Sequence, residues 1–570
     1  MHDHSITLSV LTATVFAAAP LAAQDELLRT KHPGSTVTGA IVHDSTRNRL
    51  VVVQPTATAM ELFEWDGTSW QHILTNQSPP PRNSASWVFD PARSRCVLFG
   101  GHWWSTNVRD DVWEWDGRAW HSFDPAIRPG PAADVAATYD AALGEAVFFG
   151  GKRFDTTQNA DIQLNEFWSW NGSRWQQHGA ASAGPAPRSL AALVHDSLAG
   201  ETILFGGYIG NNAFSNETWA WRPSSGWQQL TTNGSPSPRG WHDMAFDPTR
   251  GRALLAGQYL LWNNDETWEW HGPTRTWTQV SSSPPAGIRR DRPEVVWDGQ
   301  DVLLFGGVGN FGSGASDRYA ALSDLHAWNP SAASWTARQT SMPPASRWMM
   351  ATDSQRGRLV AVPANHFSMV LWERSGGSWT PQAALGQPLP LPSWGPGLAD
   401  TYRGSVLLFG GYNYNQQYLD QTWSWNGTSW SQLPTGPSSR RDVAMAGTPW
   451  NGGTVWMFGG LESETPLVTS SQLWAHDGVG WSQVTPTTPW PPALHHAAMC
   501  YDQGRNRLVM YGGQTGGPGT DTDQTWEWDG TRWWQVSPLH RPPTASGHRL
   551  VYDAVNSRVI ALHWYGAAWS

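Results

Sequence analysis

Apolar residues along this chain come in short runs that end in glycine. Val97-Leu98-Phe99-Gly100-Gly101, Ile203-Leu204-Phe205-Gly206-Gly207, Leu303-Leu304-Phe305-Gly306-Gly307, Leu407-Leu408-Phe409-Gly410-Gly411 and Trp456-Met457-Phe458-Gly459-Gly460 share one pattern. A run of that length, bounded by turn residues, predicts a buried strand. Other segments alternate. In Trp113-Glu114-Trp115-Asp116-Gly117 and Trp526-Glu527-Trp528-Asp529-Gly530, period two places both tryptophans on one face of a strand. The Asp-Gly that follows supplies the positive φ of a tight hairpin. No segment sustains a 3.6-residue period, so the pattern predicts almost no helix.

These pieces recur in order. The second position of the Trp-x-Trp motif, or of a weaker copy, falls at 65, 115, 170, 221, 270, 328, 372, 425, 476 and 528. That makes nine intervals over 463 residues, about 51 each, a period that signals a repeat architecture. Each unit holds four predicted strands. The first follows Pro-Arg or a variant and ends in Asp, as in Ser86-Trp87-Val88-Phe89-Asp90. The second is the run before Gly-Gly, the third is Trp-x-Trp, and the fourth is a piece such as Trp227-Gln228-Gln229-Leu230.

Composition narrows the classes further. The chain has 570 residues with 57 Gly, 41 Pro and 40 Trp, and only 15% are charged. This excludes long-helix, collagen-like and disordered chains. A net charge of −10 argues against a nucleic-acid partner, which calls for a basic stripe. Residues 1–23 read as an export signal, with an apolar stretch from Ile6 to Ala23, although Met1-His2-Asp3-His4 lacks the usual Lys or Arg. No other stretch is long enough to span a bilayer. The expected location is therefore secreted, periplasmic or cell-surface. Cys96 and Cys500 read as buried apolar residues, with a disulfide left open.

Four antiparallel strands in about 50 residues make one propeller blade. The apolar run with Gly-Gly, the Pro-Arg approach and the paired Trp before Asp-Gly resemble kelch repeats across residues 25–570. The fold expected is all-β: a kelch-type β-propeller of four-stranded antiparallel blades, ten full repeats plus a composite eleventh. The eleventh would join a strand at Glu26-Leu27-Leu28 to the C-terminal fragment. Ring propellers usually have four to eight blades, so two propellers are expected, 24–285 (blades 1–5) and 286–570 (blades 6–10 and the closing piece), with one large ring as the alternative. Gly-Gly is lost at Leu254-Leu255-Ala256-Gly257 and Val360-Ala361-Val362-Pro363-Ala364, where irregular blades or a junction are expected.

Antiparallel geometry sends the strand 4–1 and strand 2–3 loops to one face and the 1–2 and 3–4 turns to the other. The turn face is uniform: Asp44, Asp90, Asp247, Asp353 and Asp502 precede turns that carry Arg49, Arg95, Arg252, Arg358 and Arg507, read as Asp–Arg hairpin pairs. The loop face varies, and variable loops on a rigid scaffold carry binding residues. The candidates there are Arg82, Arg188, Arg239, Arg292, Arg347, Arg440 and His548 before the first strands, with Trp103, Trp104, Tyr208 and Tyr412 in the loops. Arginines interleaved with aromatics suit an anionic partner or a sugar. The alternative is that each arginine caps carbonyls of its own loop.

No metal-ligand spacing, phosphate loop or nucleophile elbow appears. His495-His496 before Met499-Cys500-Tyr501 invites comparison with galactose oxidase, which has a kelch-type propeller, but that family's ligand set is not assignable residue by residue here. No catalytic residue, metal or cofactor is assigned. The expected function is an exported, non-catalytic scaffold that binds a protein or glycan ligand through its variable-loop face. The competing class is a carbohydrate-active enzyme: an oxidase resembling galactose oxidase, an isomerase resembling neuraminate epimerase, or a glycoside hydrolase.

Overall fold

The computed structural model describes residues 40–562, 568 and 569, except 57, 104–106, 156, 158, 180–183, 258–265, 285–287, 311–318, 340–347, 364–370, 376–377, 383–394, 414–416, 435, 486, 488, 518, 539–543 and 545. Strands dominate, and the helical pieces that interrupt them are single 3-10 turns such as Gly272–Thr274 and Trp450–Gly452. Most of the strands form antiparallel sheets of four, in the order predicted, and within each unit the first strand of one blade lies beside the first strand of the next. The architecture is that of a β-propeller, in which the first strands line the axis.

The chain divides after Ala345 into two compact units. Residues 30–345 hold six blades, one more than the even division at 285/286 assigns to the first half. Blade 6 belongs there because it packs on blade 1. Leu303, Phe305, Leu325 and Ala327 share a core with Ile41, Leu50, Val52, Phe63 and Trp70, and the Trp70 and Phe305 rings lie 5.6 Å apart. The six sheets therefore close on themselves through side-chain packing. Blade 6 is also the irregular one: Arg289–Asp291 and Glu294–Trp297 both pair with the long strand Val302–Asn310. Blades 5 and 7, where Gly-Gly is lost, are regular four-stranded sheets.

The second unit carries blades 7–11. Its last sheet has three described strands, Arg549–Asp553, Arg558–Leu562 and Ala568–Trp569. The strand expected at residues 26–28 lies outside the described residues, as does the leader.

The sequence signatures have physical causes here. The second Trp of each motif faces the Trp that opens strand four, as in Trp115 with Trp120 and Trp170 with Trp175, at ring separations of 5.7 and 5.2 Å. Trp115, Trp170, Trp270, Trp425 and Trp528 are almost wholly buried between blades. Gly-Gly is required by close approach. A Cβ on Gly100 would sit 2.3 Å from the Ala132 carbonyl of the next blade, and one on Gly150 would sit 2.4 Å from that of Arg188. The second glycine donates its N–H to that same carbonyl, from Gly101 to Ala132 and from Gly151 to Arg188, both at about 2.8–2.9 Å. Each Gly-Gly is thus a latch onto the following blade.

The turn face holds a second latch. The Asp at the end of strand one pairs with the residue three on, not five on as the sequence pattern suggested. Arg93 Nε binds Asp90 at 2.7 Å, and Arg93 Nη1 binds Glu114, the middle residue of Trp-x-Trp, at 2.7 Å. Glu114 then accepts the indole N–H of Trp170 from the next blade at 2.7 Å. Arg356, Asp353, Glu373 and Trp425 repeat the arrangement in the second unit. Arg558 with Asp553 at 3.3 Å keeps the five-residue spacing. Cys96 and Cys500 are buried free thiols, and burial pushes both thiol pKa values up.

Candidate functional site

The predicted arginine ring is mostly structural. Arg82, Arg188, Arg239 and Arg440 are at most 1% exposed. Arg82 donates to the Gly100 carbonyl at 3.1 Å and makes a fork with Asp111 at 2.6 and 2.8 Å. Arg188 donates to the Ala186 and Gly206 carbonyls, both at 3.0 Å, and to Glu217 at 2.6 Å. Arg239 binds Glu266 at 2.6 Å, and Arg440 binds the Gly459 carbonyl, Gln472 and Glu462. The capping alternative is therefore the one realised. Burial opposes ionisation of Asp111 and Glu217, yet their arginine partners win and hold both pKa values below the ordinary range.

The same acid or amide also accepts the indole N–H of the first Trp of the motif, from Trp113 to Asp111 at 2.8 Å and from Trp219 to Glu217 at 3.1 Å. A polar residue two positions before Trp-x-Trp was the available signal for this staple. In blade 6 the staple belongs to Arg290, which binds Gly306 and Asp324, and not to the predicted Arg292. His548 is also a staple: it is 2% exposed, with Nε2 3.0 Å from the Tyr511 carbonyl. Arg347 and Trp104 lie outside the described residues. Trp103 is half-buried in its loop. Trp490, an aromatic outside the repeat pattern, donates to the Ser471 carbonyl at 2.7 Å and packs on the core.

What the sequence did not reveal is the residue two places after the staple. Ser84, Asp134, Leu190, Trp241, Arg292, Asp442 and His496 occupy this position, and all have φ between 54° and 59°. Left-handed backbone is uncommon for such residues. It is held by hydrogen bonds from blade to blade: Asp134 N to Ser84 O, Leu190 N to Asp134 O, Arg292 N to Trp241 O, Asp442 N to Gly395 O, His496 N to Asp442 O and Gly547 N to His496 O. Within each unit, these residues rim that unit's own axis on the variable-loop face.

A cluster stands on the rim of each unit. In the first unit, Tyr208 and Phe214 come from a hairpin inserted after Gly-Gly. Their rings are 5.2 Å apart, Phe214 is 5.7 Å from Trp241, and the Arg292 guanidinium sits over Trp241 at 5.3 Å. Of the predicted residues, Tyr208 and Arg292 are thus brought together. In the second unit, Tyr412 and Tyr418 are 5.2 Å apart, and Arg441 lies over them at 5.6 and 6.0 Å. Arg441 also pairs with Asp442 at 3.1 Å and with Glu464. His496 Nε2 is 3.3 Å from Asp442, and the His495 and His496 Nδ1 atoms are 2.7 Å apart. These clusters combine cations with aromatic faces, a pairing that binds anions and sugars.

A shallow notch of about 290 Å³ lies on the opposite face, lined by Arg93, Arg95, Glu114, His121 and Phe123. Its main charges are already paired with each other. No cluster of three or more potential metal ligands occurs among the described residues, and no described helix is long and apolar enough to cross a membrane.

No family model matches the chain. The tRNA wybutosine-synthesizing protein 4 of Emericella nidulans is 31% identical over 133 residues, which is 22% of this chain and 12% of that protein. The chain thus spans about an eighth of that relative's length. The solved structure of YjhT aligns with 54% of this chain and 98% of its own, at 16% identity and a TM-score of 0.40, a level that carries no argument about activity.

Proposed function

We propose that this is an exported kelch-type propeller protein that binds a protein or glycan partner through its variable-loop face. The observation that carries this is the paired cation–aromatic clusters, Arg292 over Trp241 and Arg441 over Tyr412 and Tyr418, standing on a rim otherwise fixed by backbone hydrogen bonds. On the opposite face Arg47, Arg93, Arg250, Arg356 and Arg505 are each held by an Asp and a Glu. Kelch-type repeats and export rest on the sequence patterns: Gly-Gly after an apolar strand, and the small-residue leader at 6–23. The His496–Asp442 contact favours a second reading, an enzyme that moves a proton on a carbohydrate.

The test is a glycan array and a partner capture with Trp241→Ala and Arg441→Ala proteins, against Arg95→Ala on the opposite face. Loss of ligand in the first two with retention in the third is expected. Retention in all three, with unfolding transitions unchanged, would refute the loop-face assignment.

A further inference from the structure

The turn face repeats one arginine slot, and blade 9 breaks it. Between strands one and two an arginine reaches to the hairpin glycine of the next blade: Arg47 lies against Gly117, Arg93 against Gly172, Arg356 against Gly427 and Arg403 against Gly478. In blade 9 it is Trp450 that lies against the hairpin glycine, Gly530 of blade 10. The Asp that ends strand one is replaced there by Thr448. The latch of Asp, Arg and Glu that blades 7 and 10 carry therefore cannot form in blade 9, and an aromatic ring stands in place of a paired charge.

That ring gathers others across three blades. Tyr501 of blade 10 stands at nearly a right angle to Trp450 at 5.8 Å, and Tyr402 of blade 8 stands likewise to Tyr501 at 6.4 Å. All three are half-buried. Trp450 Nε1 and Tyr501 Oη both donate to Asn506 Oδ1, each at 2.6 Å. Two donors on one oxygen decide how this amide points: Oδ1 meets the rings, and Nδ2 is turned away from them with two N–H groups to give. Asn506 is exposed, as is Gln503, whose side chain hydrogen-bonds the Tyr402 hydroxyl. The nearby charges are already engaged. Arg505 is held by Asp502 and Glu527, Arg403 donates to the Gly453 carbonyl at 3.0 and 2.7 Å, and Asp400 accepts the Ser354 and Tyr402 N–H groups at 3.0 and 2.8 Å.

We propose that Tyr402, Trp450 and Tyr501 form a platform for a neutral glycan on the turn face of the second unit, with Asn506 Nδ2 donating to a sugar hydroxyl. The site is separate from the loop face and does not rest on the reading given for it. A pyranose with equatorial hydroxyls has an apolar C–H face and a polar edge. Tyr and Trp match that division, each with an apolar body and a polar tip. The oriented amide supplies donors at the edge, and the Tyr501 oxygen keeps lone pairs to accept. An acidic sugar would bring a carboxylate to a surface whose guanidinium groups are already engaged, so the ligand is uncharged.

The experiment is native affinity electrophoresis of the full chain through gels containing hydroxyethylcellulose, glucomannan or polygalacturonate. At least one of the two neutral polymers should retard the protein, and polygalacturonate should not. Trp450→Ala should weaken the retardation about tenfold or more, the loss of a central aromatic contact. Because that change also removes a ring packed between blades 9 and 10, Asn506→Asp is the second variant. It keeps oxygen acceptors for Trp450 and Tyr501 and tolerates the left-handed backbone, φ 54°, but has no Nδ2 donors. It should unfold like the parent chain while retardation falls about threefold to tenfold, the loss of a hydrogen bond. No retardation by either neutral polymer, stronger retardation by polygalacturonate, or parental retardation in both variants would overturn the proposal. Retardation lost with Trp241→Ala or Arg441→Ala but kept with Trp450→Ala would put the glycan on the loop face and overturn this site. Retardation lost with Trp450→Ala and Asn506→Asp alone supports this site, whatever the loop face binds.

Discussion

Replacing Arg188 with Ala separates the staple from a ligand role. Arg188 is 1% exposed and makes three hydrogen bonds, to Ala186 O, Gly206 O and Glu217. Truncation leaves two carbonyls short of a donor and a carboxylate without its partner. Breaking a buried pair costs about 3–5 kcal/mol. The Glu217 side chain is 38% exposed, so water re-solvates it and the lower end applies, about 3 kcal/mol. For a unit spanning residues 30–345, at about 2.1 cal/mol/K of unfolding entropy per residue, that is a fall in Tm of about 4–5 °C. Arg188→Lys keeps the charge but not the fork and should recover about half. The assay is thermal and urea unfolding followed by tryptophan fluorescence, with Arg292→Ala as the rim control, expected within about 0.5 kcal/mol of wild type. The staple reasoning fails if Arg188→Ala unfolds like the parent chain but has lost its ligand.

Other positions give sharper local tests. Gly150→Ala places a Cβ 2.4 Å from a backbone carbonyl at φ +68°; it should destabilise the first unit by more than about 2 kcal/mol, since both strain and a clash apply, and urea midpoints report it. Glu114→Ala should cost about 2–4 kcal/mol, and a double-mutant cycle with Trp170→Phe should return a coupling of about 1 kcal/mol or more, because one carboxylate oxygen serves both Arg93 and the indole. Asp291 is 5% exposed, and burial raises its pKa to about 7 against Arg292, which acts the other way. The folded state therefore binds the extra proton, so stability should fall as pH rises from about 4 to about 7 and stay low above. Asp291→Asn should remove that slope, and an unchanged Tm–pH profile would contradict the assignment. Asp111 and Glu217 act in the opposite sense, adding stability above the ordinary carboxylate range that is lost as acid protonates them.

The blade architecture was legible because it is written in local, repeated chemistry. Gly-Gly, Trp-x-Trp and Asp-Gly each mark one strand end, and each occurs many times. The candidate site was less legible because one position decides it. Arg82 and Arg292 look alike in sequence, both near a first strand. The first lies eight residues before the end of that strand and is buried; the second stands six before the matching position and takes the left-handed rim. Only the register of each blade against the next tells them apart, and Arg290, two residues earlier, was the true staple. The Asp–Arg pairing erred for a similar reason. Arg93 and Arg95 are both near Asp90, but only the nearer can also reach Glu114 at 2.7 Å while lying against Gly172 of the next hairpin. Tyr412 and Tyr208 stood out in the sequence because loop aromatics outside the repeat have no core to fill, and each sits in a loop cluster of aromatic rings.

The blade-to-blade bonds around the rim separate two jobs that one residue usually shares. Main-chain N–H and carbonyl groups link neighbouring blades there, so Ser84, Asp134, Leu190, Trp241, Arg292, Asp442 and His496 hold equivalent places in their units with unrelated side chains. Such a rim behaves like a keyboard: the blades so linked each present one interchangeable key at a fixed height, and recognition can be rewritten one key at a time without retuning the sheets beneath.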